Sequence, residues 1–225
     1  MAKNFTEIAY SEAVLATQRR MNAVEVNAEL RHSVGRNSIT PALATYLGSR
    51  ISFYLASASA AGQPYIQHRG GPPGFIKTLD SHTFAFPDFE GNKQYITLGN
   101  LSENPRVQLF FMDYGHRQRL KIWGQATIVE DDEELLALVT PETWRRPLRR
   151  AIRLAVEAWD VNCPAYIPQL FTVDEVETAH RAMLDRIAEL EAEVAVLKDA
   201  AGPAQPRATR TGAKGPLRKD RQKQP

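Results

Sequence analysis

The chain has 225 residues, 43% of them hydrophobic and 24% charged, with a formal net charge of +2, which is ordinary globular composition and enough chain to bury one sizeable core. No apolar run approaches the ~20 residues of a membrane span, and Glu7 and Glu12 interrupt the stretch where a signal peptide is purely apolar, so a cytoplasmic protein is expected. A single cysteine, Cys163, excludes an intramolecular disulfide, and His32, His68, His82, His116 and His180 are scattered without metal-ligand spacing, so no metal is expected.

The small net charge hides an asymmetry. From Ala201 onward there are seven Lys and Arg against one acid, Asp220, which leaves 21 basic against 25 acidic side chains in residues 1–200. That tail is rich in Gly, Pro and Gln, has no aromatic residue and lacks the apolar surface to order itself. A phosphate-bearing partner would attract it, but a solvated tail is the simpler reading, so no nucleic acid or membrane partner is expected.

In chain order, residues 5–30 space apolar and polar positions as helices do, with Phe5, Ile8, Val14, Leu15, Met21 and Val24 as the buried face. Residues 31–40 read as a loop. Pro41 opens a short helix through Leu43, Tyr46 and Leu47 that Gly48 ends. Ile51–Ser57 and Pro64–His68 are β-forming runs around a turn at Ala61, Gly62 and Gln63, hence a hairpin. Gln67, His68 and Arg69 bring donors to the end of its second strand. Gly70 and Gly71 then allow a ligand to approach the backbone, and Pro72 and Pro73 stiffen the loop. Arg69 and Lys77 suit a phosphate or the electron-rich edge of a cofactor ring, although solvated cations beside a plain turn fit equally well.

Phe84, Ala85 and Phe86 read as a buried strand running into Pro87–Lys93. A helix follows with Tyr95, Ile96, Leu98 and Leu101 on one face, stopped by Asn104 before Pro105. Asn92 and Lys93 thus stand near a helix N-terminus, where free N–H groups and the helix dipole favour phosphate.

Residues 106–111 alternate with period two, and residues 119–128 do so over the length of a long barrel strand in which Gly124 marks a bend or a close backbone approach. Asp131 and Asp132 start a helix that Pro141 ends. Arg145, Arg146, Arg149 and Arg150 around Pro147 read as a solvated basic loop, and residues 152–159 as the last strand. Cys163 has no His or acid beside it and reads as a packed thiol. Asp174 is the expected cap of a final helix in which His180, Met183, Ile187, Leu190, Val194 and Leu197 recur at spacings of three and four, a heptad-like seam.

Taken together, ISFYLASASAAGQPYIQHR, TFAFPDFEGNKQYITLGNLSENPRVQLFF and RLKIWGQATIVE resemble the pyridoxamine 5'-phosphate oxidase-like FMN-binding split-barrel family. The resemblance covers roughly residues 38–168, and Asn100, Leu101, Ser102, Glu103, Asn104 and Pro105 carry the family's Asn-Leu-x-x-Asn-Pro motif. It implies a mainly β protein with flanking helices, a six-stranded split β-barrel plus a C-terminal helix. The implied division is a helical segment over 1–37, the barrel over 38–170, the heptad-like helix over 171–200 and the basic tail over 201–225.

The resemblance further implies non-covalent FMN, a homodimer with the cofactor at its interface, and transfer of electrons or hydride to or from a small molecule, with NADH or NADPH as a possible donor docked against the ring. Where the family commonly has lysine, eight positions before the proline, this chain has Thr97, so the phosphate falls to Lys93 with Asn92, Tyr95 and Thr97 in the segment leading to Asn100. Gln67 and His68 are implied contacts of the ring or ribityl chain, Arg69 or Lys77 faces the reduced ring, and Trp123 and Gln125 complete the site from the partner. The Arg-Leu-x-Pro ending with which the vitamin B6 oxidases close on substrate has no counterpart, so a different activity is expected. The competing reading is a non-catalytic flavin or haem sensor whose terminal helix recruits a partner.

Overall fold

The structure is a computed structural model and describes residues 4–26, 28, 36–162 and 165–201. Cys163, most of the loop before Arg36 and the basic tail beyond Ala201 lie outside the described residues. Helices α1 (Phe5–Ala9), α2 (Glu12–Arg20) and α3 (Pro41–Ser49) precede strands β1 (Ser52–Ala58), β2 (Pro64–Gly70), β3 (Lys77–Thr78) and β4 (Thr83–Pro87). Then come α4 (Ile96–Glu103), β5 (Arg106–Asp113), β6 (Gln118–Val129), α5 (Glu133–Val139), β7 (Ala151–Asn162) and α6 (Val173–Ala201).

The strands form one antiparallel sheet in the order β2-β1-β5-β6-β7-β4-β3. This is the expected mainly β architecture with flanking helices and a C-terminal helix. Its seventh strand is the two-residue β3, too short to show as a period in the sequence. The alternation along β5, buried at Val107, Leu109, Phe111 and Asp113, sets which side chains face inward.

Those inward side chains roll the sheet up. Phe53 on β1 and Phe86 on β4 have three strands between them in the sheet, yet their rings meet edge to face with centroids 4.9 Å apart. Phe53 also meets Phe111 at 4.9 Å and Phe75 at 6.0 Å. All four rings are essentially buried, and each such burial contributes about 1.5–3 kcal/mol. The two edges of the sheet do not pair with each other, so the barrel is split.

The caps behave as local chemistry dictates. Thr40 Oγ1 accepts from the Leu43 N–H at 3.2 Å with Pro41 in the first turn of α3, and Asp132 Oδ1 accepts from the Leu135 N–H at 2.9 Å at the start of α5. Gly124 has both expected properties: the β6–β7 register shifts between Trp123 and Gly124, and a Cβ there would stand 2.2 Å from the Ala155 carbonyl oxygen. No side chain fits that space.

The N-terminal segment forms two helices, as its spacing allows, with Ser11 Oγ capping α2 by accepting from the Val14 N–H at 3.3 Å; its buried face needs correction. Phe5 of α1 is buried and stacks on Trp123 with centroids 5.6 Å apart, whereas α2 buries no residue and Met21 is 65% exposed. One long buried face is therefore replaced by a single anchor.

Described residues from Phe171 onward belong to a second unit. In it α6 starts from a capping box rather than from Asp174: Thr172 Oγ1 accepts from the Glu175 N–H at 3.3 Å, and Glu175 Oε2 accepts from the Thr172 N–H at 2.7 Å. Among the described residues no helix is long and apolar enough to cross a membrane, and no group of three His, Cys, Asp or Glu is placed to hold a metal ion.

Candidate functional site

The split of the barrel is where its charges gather. Arg69, near the end of edge strand β2, is ion-paired with Asp88, the residue after β4. Asp88 also accepts from Arg150 Nε at 3.0 Å through its second carboxylate oxygen, while its backbone N–H donates to the Arg150 carbonyl at 3.0 Å. One carboxylate thus holds two guanidinium groups across the gap, and all three side chains are largely buried, at 9%, 6% and 15% exposure for Arg69, Asp88 and Arg150. A buried acid needs such partners. Burial opposes the charge on Arg150, but the hydrogen bond and charge of Asp88, with Tyr95 and Glu130 nearby, outweigh it and hold the guanidinium above its ordinary pKa.

The same gap receives the start of α4. Thr97, in its first turn, donates from Oγ1 to Gln67 Oε1 on β2 at 2.8 Å. Tyr95 caps the helix in the left-handed region, φ 53°, without a side-chain cap for the free N–H groups, and the Arg150 guanidinium lies 5.4 Å from the centre of its ring. Lys93 is also left-handed, φ 60°, in a turn where Asn92 Oδ1 accepts from the Gln94 N–H at 3.1 Å. Its Nζ stands 3.3 Å from Glu90.

Between these groups lies a cavity of about 40 Å³ bounded by Gln67, Arg69, Asp88, Lys93, Thr97 and Arg150, with Asn92 and Tyr95 at its margin. That is room for about three waters, or one phosphate-sized group. Arg69 Nε is buried and has no hydrogen-bond partner. Two larger clefts, about 360 Å³ against α2 and about 230 Å³ between Tyr46 and Trp159, gather no more than one charged side chain each, whereas a neighbouring cavity of about 60 Å³ shares Asp88, Tyr95 and Arg150 and adds Glu90, Arg146 and Arg149. Arg69, with its unpartnered Nε, lines the smaller cavity and not that neighbour.

A family model described as pyridoxamine 5'-phosphate oxidase matches residues 39–163, more than half of the chain. The chain belongs to that family. No curated protein sequence matches it. Among solved structures, this member of the pyridoxamine 5'-phosphate oxidase family is similar to HupZ of Group A Streptococcus, with 17% identity, 53% of this chain and 91% of that chain covered, and a TM-score of 0.43. It is also similar to an FMN-binding protein from Syntrophomonas wolfei, at 14% identity, 66% and 97% coverage and a TM-score of 0.40. For the FAD binding protein from Mycobacterium smegmatis the values are 15%, 56% and 96%, and 0.39.

Of the residues singled out from the sequence of this family member, Gln67, Arg69, Asn92, Lys93, Tyr95 and Thr97 line the one cavity. The other five stand elsewhere. His68 falls on the opposite face of β2, across from Tyr54, with ring centroids 5.6 Å apart. Lys77 pairs with Ala85 on the far edge of the sheet. Asn100 is buried and donates to Ser57 Oγ at 3.0 Å, Trp123 is stacked on Phe5, and Gln125 donates to Glu157 Oε1 at 2.8 Å.

Three readings from the sequence change. The buried face of α4 is Thr97, Asn100 and Leu101, with Tyr95 and Ile96 exposed, because Gln67 and Ser57 supply hydrogen bonds that let polar side chains turn inward. What approaches Gly71 is not a ligand: a Cβ there would stand 2.6 Å from the Phe75 ring. Arg150 is no solvated cation but a partner of Asp88. Asp88 and Arg150 were absent from the expected site. An acid directly after a fully buried strand was the one available signal.

Proposed function

We propose that the protein is an FMN-binding oxidoreductase whose cofactor phosphate occupies the cavity between Arg69, Lys93, Thr97 and the N-terminus of α4. The unpartnered Nε–H of buried Arg69 carries this reading, since a buried donor without an acceptor is costly. Two guanidinium groups share the Asp88 carboxylate, and Lys93, paired with Glu90, and the helix N-terminus stand beside them, so N–H donors converge where an anion would sit. FMN when bound supplies the redox chemistry, accepting or giving a hydride or single electrons. The chain's own residues hold and orient it: Arg69 and Thr97 on rigid elements, Lys93 on the turn.

The cavity takes only the phosphate, so the rest of the cofactor lies on an open surface that a second copy of the chain completes. NADH or NADPH is the electron donor to try first. In an FMN titration followed by flavin fluorescence, Arg69→Ala lowers affinity by about ten-fold or more, and anaerobic NADPH or NADH bleaches the bound flavin. No binding of FMN by the wild-type chain would refute the reading.

A further inference from the structure

The feature that the flavin reading leaves unused is α6. It is 29 residues long, about 43 Å, and is exposed along its described length, Val173 to Ala200. Apart from Leu184 beside the seam and Val196 on the outer face, its large apolar positions form one line. Val173, Val176, His180, Met183, Ile187, Leu190, Val194 and Leu197 follow one another at spacings of three and four without a break. The seven apolar members are each 42–72% exposed, a single seam facing water.

The spacing assigns the heptad. Val173, His180, Ile187 and Val194 fall at a, and Val176, Met183, Leu190 and Leu197 at d. β-branched residues at a with Leu at d favour two parallel strands, and one polar a residue, here His180, sets register. The flanking charges decide what covers the seam. In a parallel pair each g residue faces the e residue of the next heptad on the other helix. Arg186 then meets Glu191, and Glu193 meets Lys198, opposite signs both times, while Ala179 meets Leu184. In an antiparallel pair with the same core layers, Arg186 would face its own copy and Glu177 would face Glu191, like charges both times. Within one helix Arg186 is held only by Glu189 at 2.7 Å, both side chains more than half exposed, a contact weak enough to exchange.

We propose that α6 pairs with α6 of a second copy as a parallel, in-register two-stranded coiled coil. The proposal does not rest on the flavin reading. A parallel, in-register pair has two-fold symmetry, as a closed homodimer requires.

The test uses the full chain carrying Cys163→Ser, so that an introduced cysteine is the only thiol. With Leu190→Cys, mild oxidation yields a disulfide-linked dimer, because residue 190 faces its own copy at a d layer. In the antiparallel arrangement residue 190 lies beside residue 180 of the other helix, so the two residues 190 stand about 15 Å apart along the axis, beyond the reach of a disulfide. Adding Arg186→Glu lowers the crosslinked fraction roughly three-fold or more, and adding Glu191→Arg to that restores it. Asp185→Cys, on the outer face, forms no disulfide-linked dimer. Failure of Leu190→Cys to crosslink, equal crosslinking at residue 185, or no response to the charge reversals would each overturn the proposal, whatever the flavin titration shows.

Discussion

Removing the carboxylate of Asp88 tests the site most directly. It clasps Arg69, 19 residues away, and Arg150, 62 residues away, and so ties β2 to β4 and β7 across the split. In Asp88→Ala the two guanidinium groups, 9% and 15% exposed, lose their shared counter-charge, Arg150 keeping only the more exposed Glu130 at 3.8 Å, and repel each other. Breaking a buried pair on one side costs about 3–5 kcal/mol, a large share of the roughly 5–15 kcal/mol that holds a domain. For a chain of this size the melting midpoint should fall by about 6–20 °C. Urea denaturation followed by tryptophan emission reads the loss, since Trp144 packs on Phe89 beside Asp88 with ring centroids 4.3 Å apart. Arg186→Ala in α6, which breaks an exposed pair, should cost about 0.5 kcal/mol or less. Inorganic phosphate should return part of the stability of Asp88→Ala, because an anion that binds only the folded state adds to it by mass action. A cost below about 1 kcal/mol for Asp88→Ala in phosphate-free buffer would refute the clasp.

Three further outcomes follow from the same packing. Burial, opposed by Arg50, pushes the Tyr46 hydroxyl up to about 12 from an ordinary 10.0, and its oxygen has no hydrogen-bond partner. The folded chain should therefore lose about 2–3 kcal/mol as pH rises from the unfolded to the folded pKa; Tyr46→Phe should remove that alkaline loss and cost little at neutral pH, and an unchanged alkaline limb in denaturant titrations would contradict it. Burial works against the Asp113 carboxylate, but the backbone and ring of His116, with Arg50 at 2.8 Å, hold it below its ordinary pKa. Its contribution is present above the unfolded pKa and lost as pH falls through the folded one, so Asp113→Asn should flatten the acid limb below about pH 4. Gly124→Ala should destabilise by about 1–3 kcal/mol or more, because its Cβ meets a carbonyl oxygen of the paired strand; a melting temperature equal to wild type would show that the bulge can yield.

Much of the fold was legible from period alone. The hairpin of β1 and β2, the long β6 with its irregularity at Gly124 and the helix starts at Thr40 and Asp132 follow from alternation, steric limits and capping within a few residues. Half of the site was legible in the same way, since Asn92, Lys93, Tyr95 and Thr97 come to one cavity by being near one helix start. The rest depends on which face a strand presents and what lies across a gap. His68 and Arg69 are neighbours in sequence, and the strand sends them to opposite sides.

By itself, then, the sequence determines what short-range geometry can carry: strand and helix positions, the unbroken heptad of α6, the composition of the tail and the family motif through Asn104 and Pro105. Tertiary structure alone decides that the rolled sheet brings edge strand β2 within reach of the residue after β4, that Asp88 rather than solvent receives Arg69 and Arg150, and that Thr97 turns inward to Gln67. The reason is physical. A backbone period is felt over a few residues, whereas a buried charge takes its partner from whatever the closure of the barrel sets beside it.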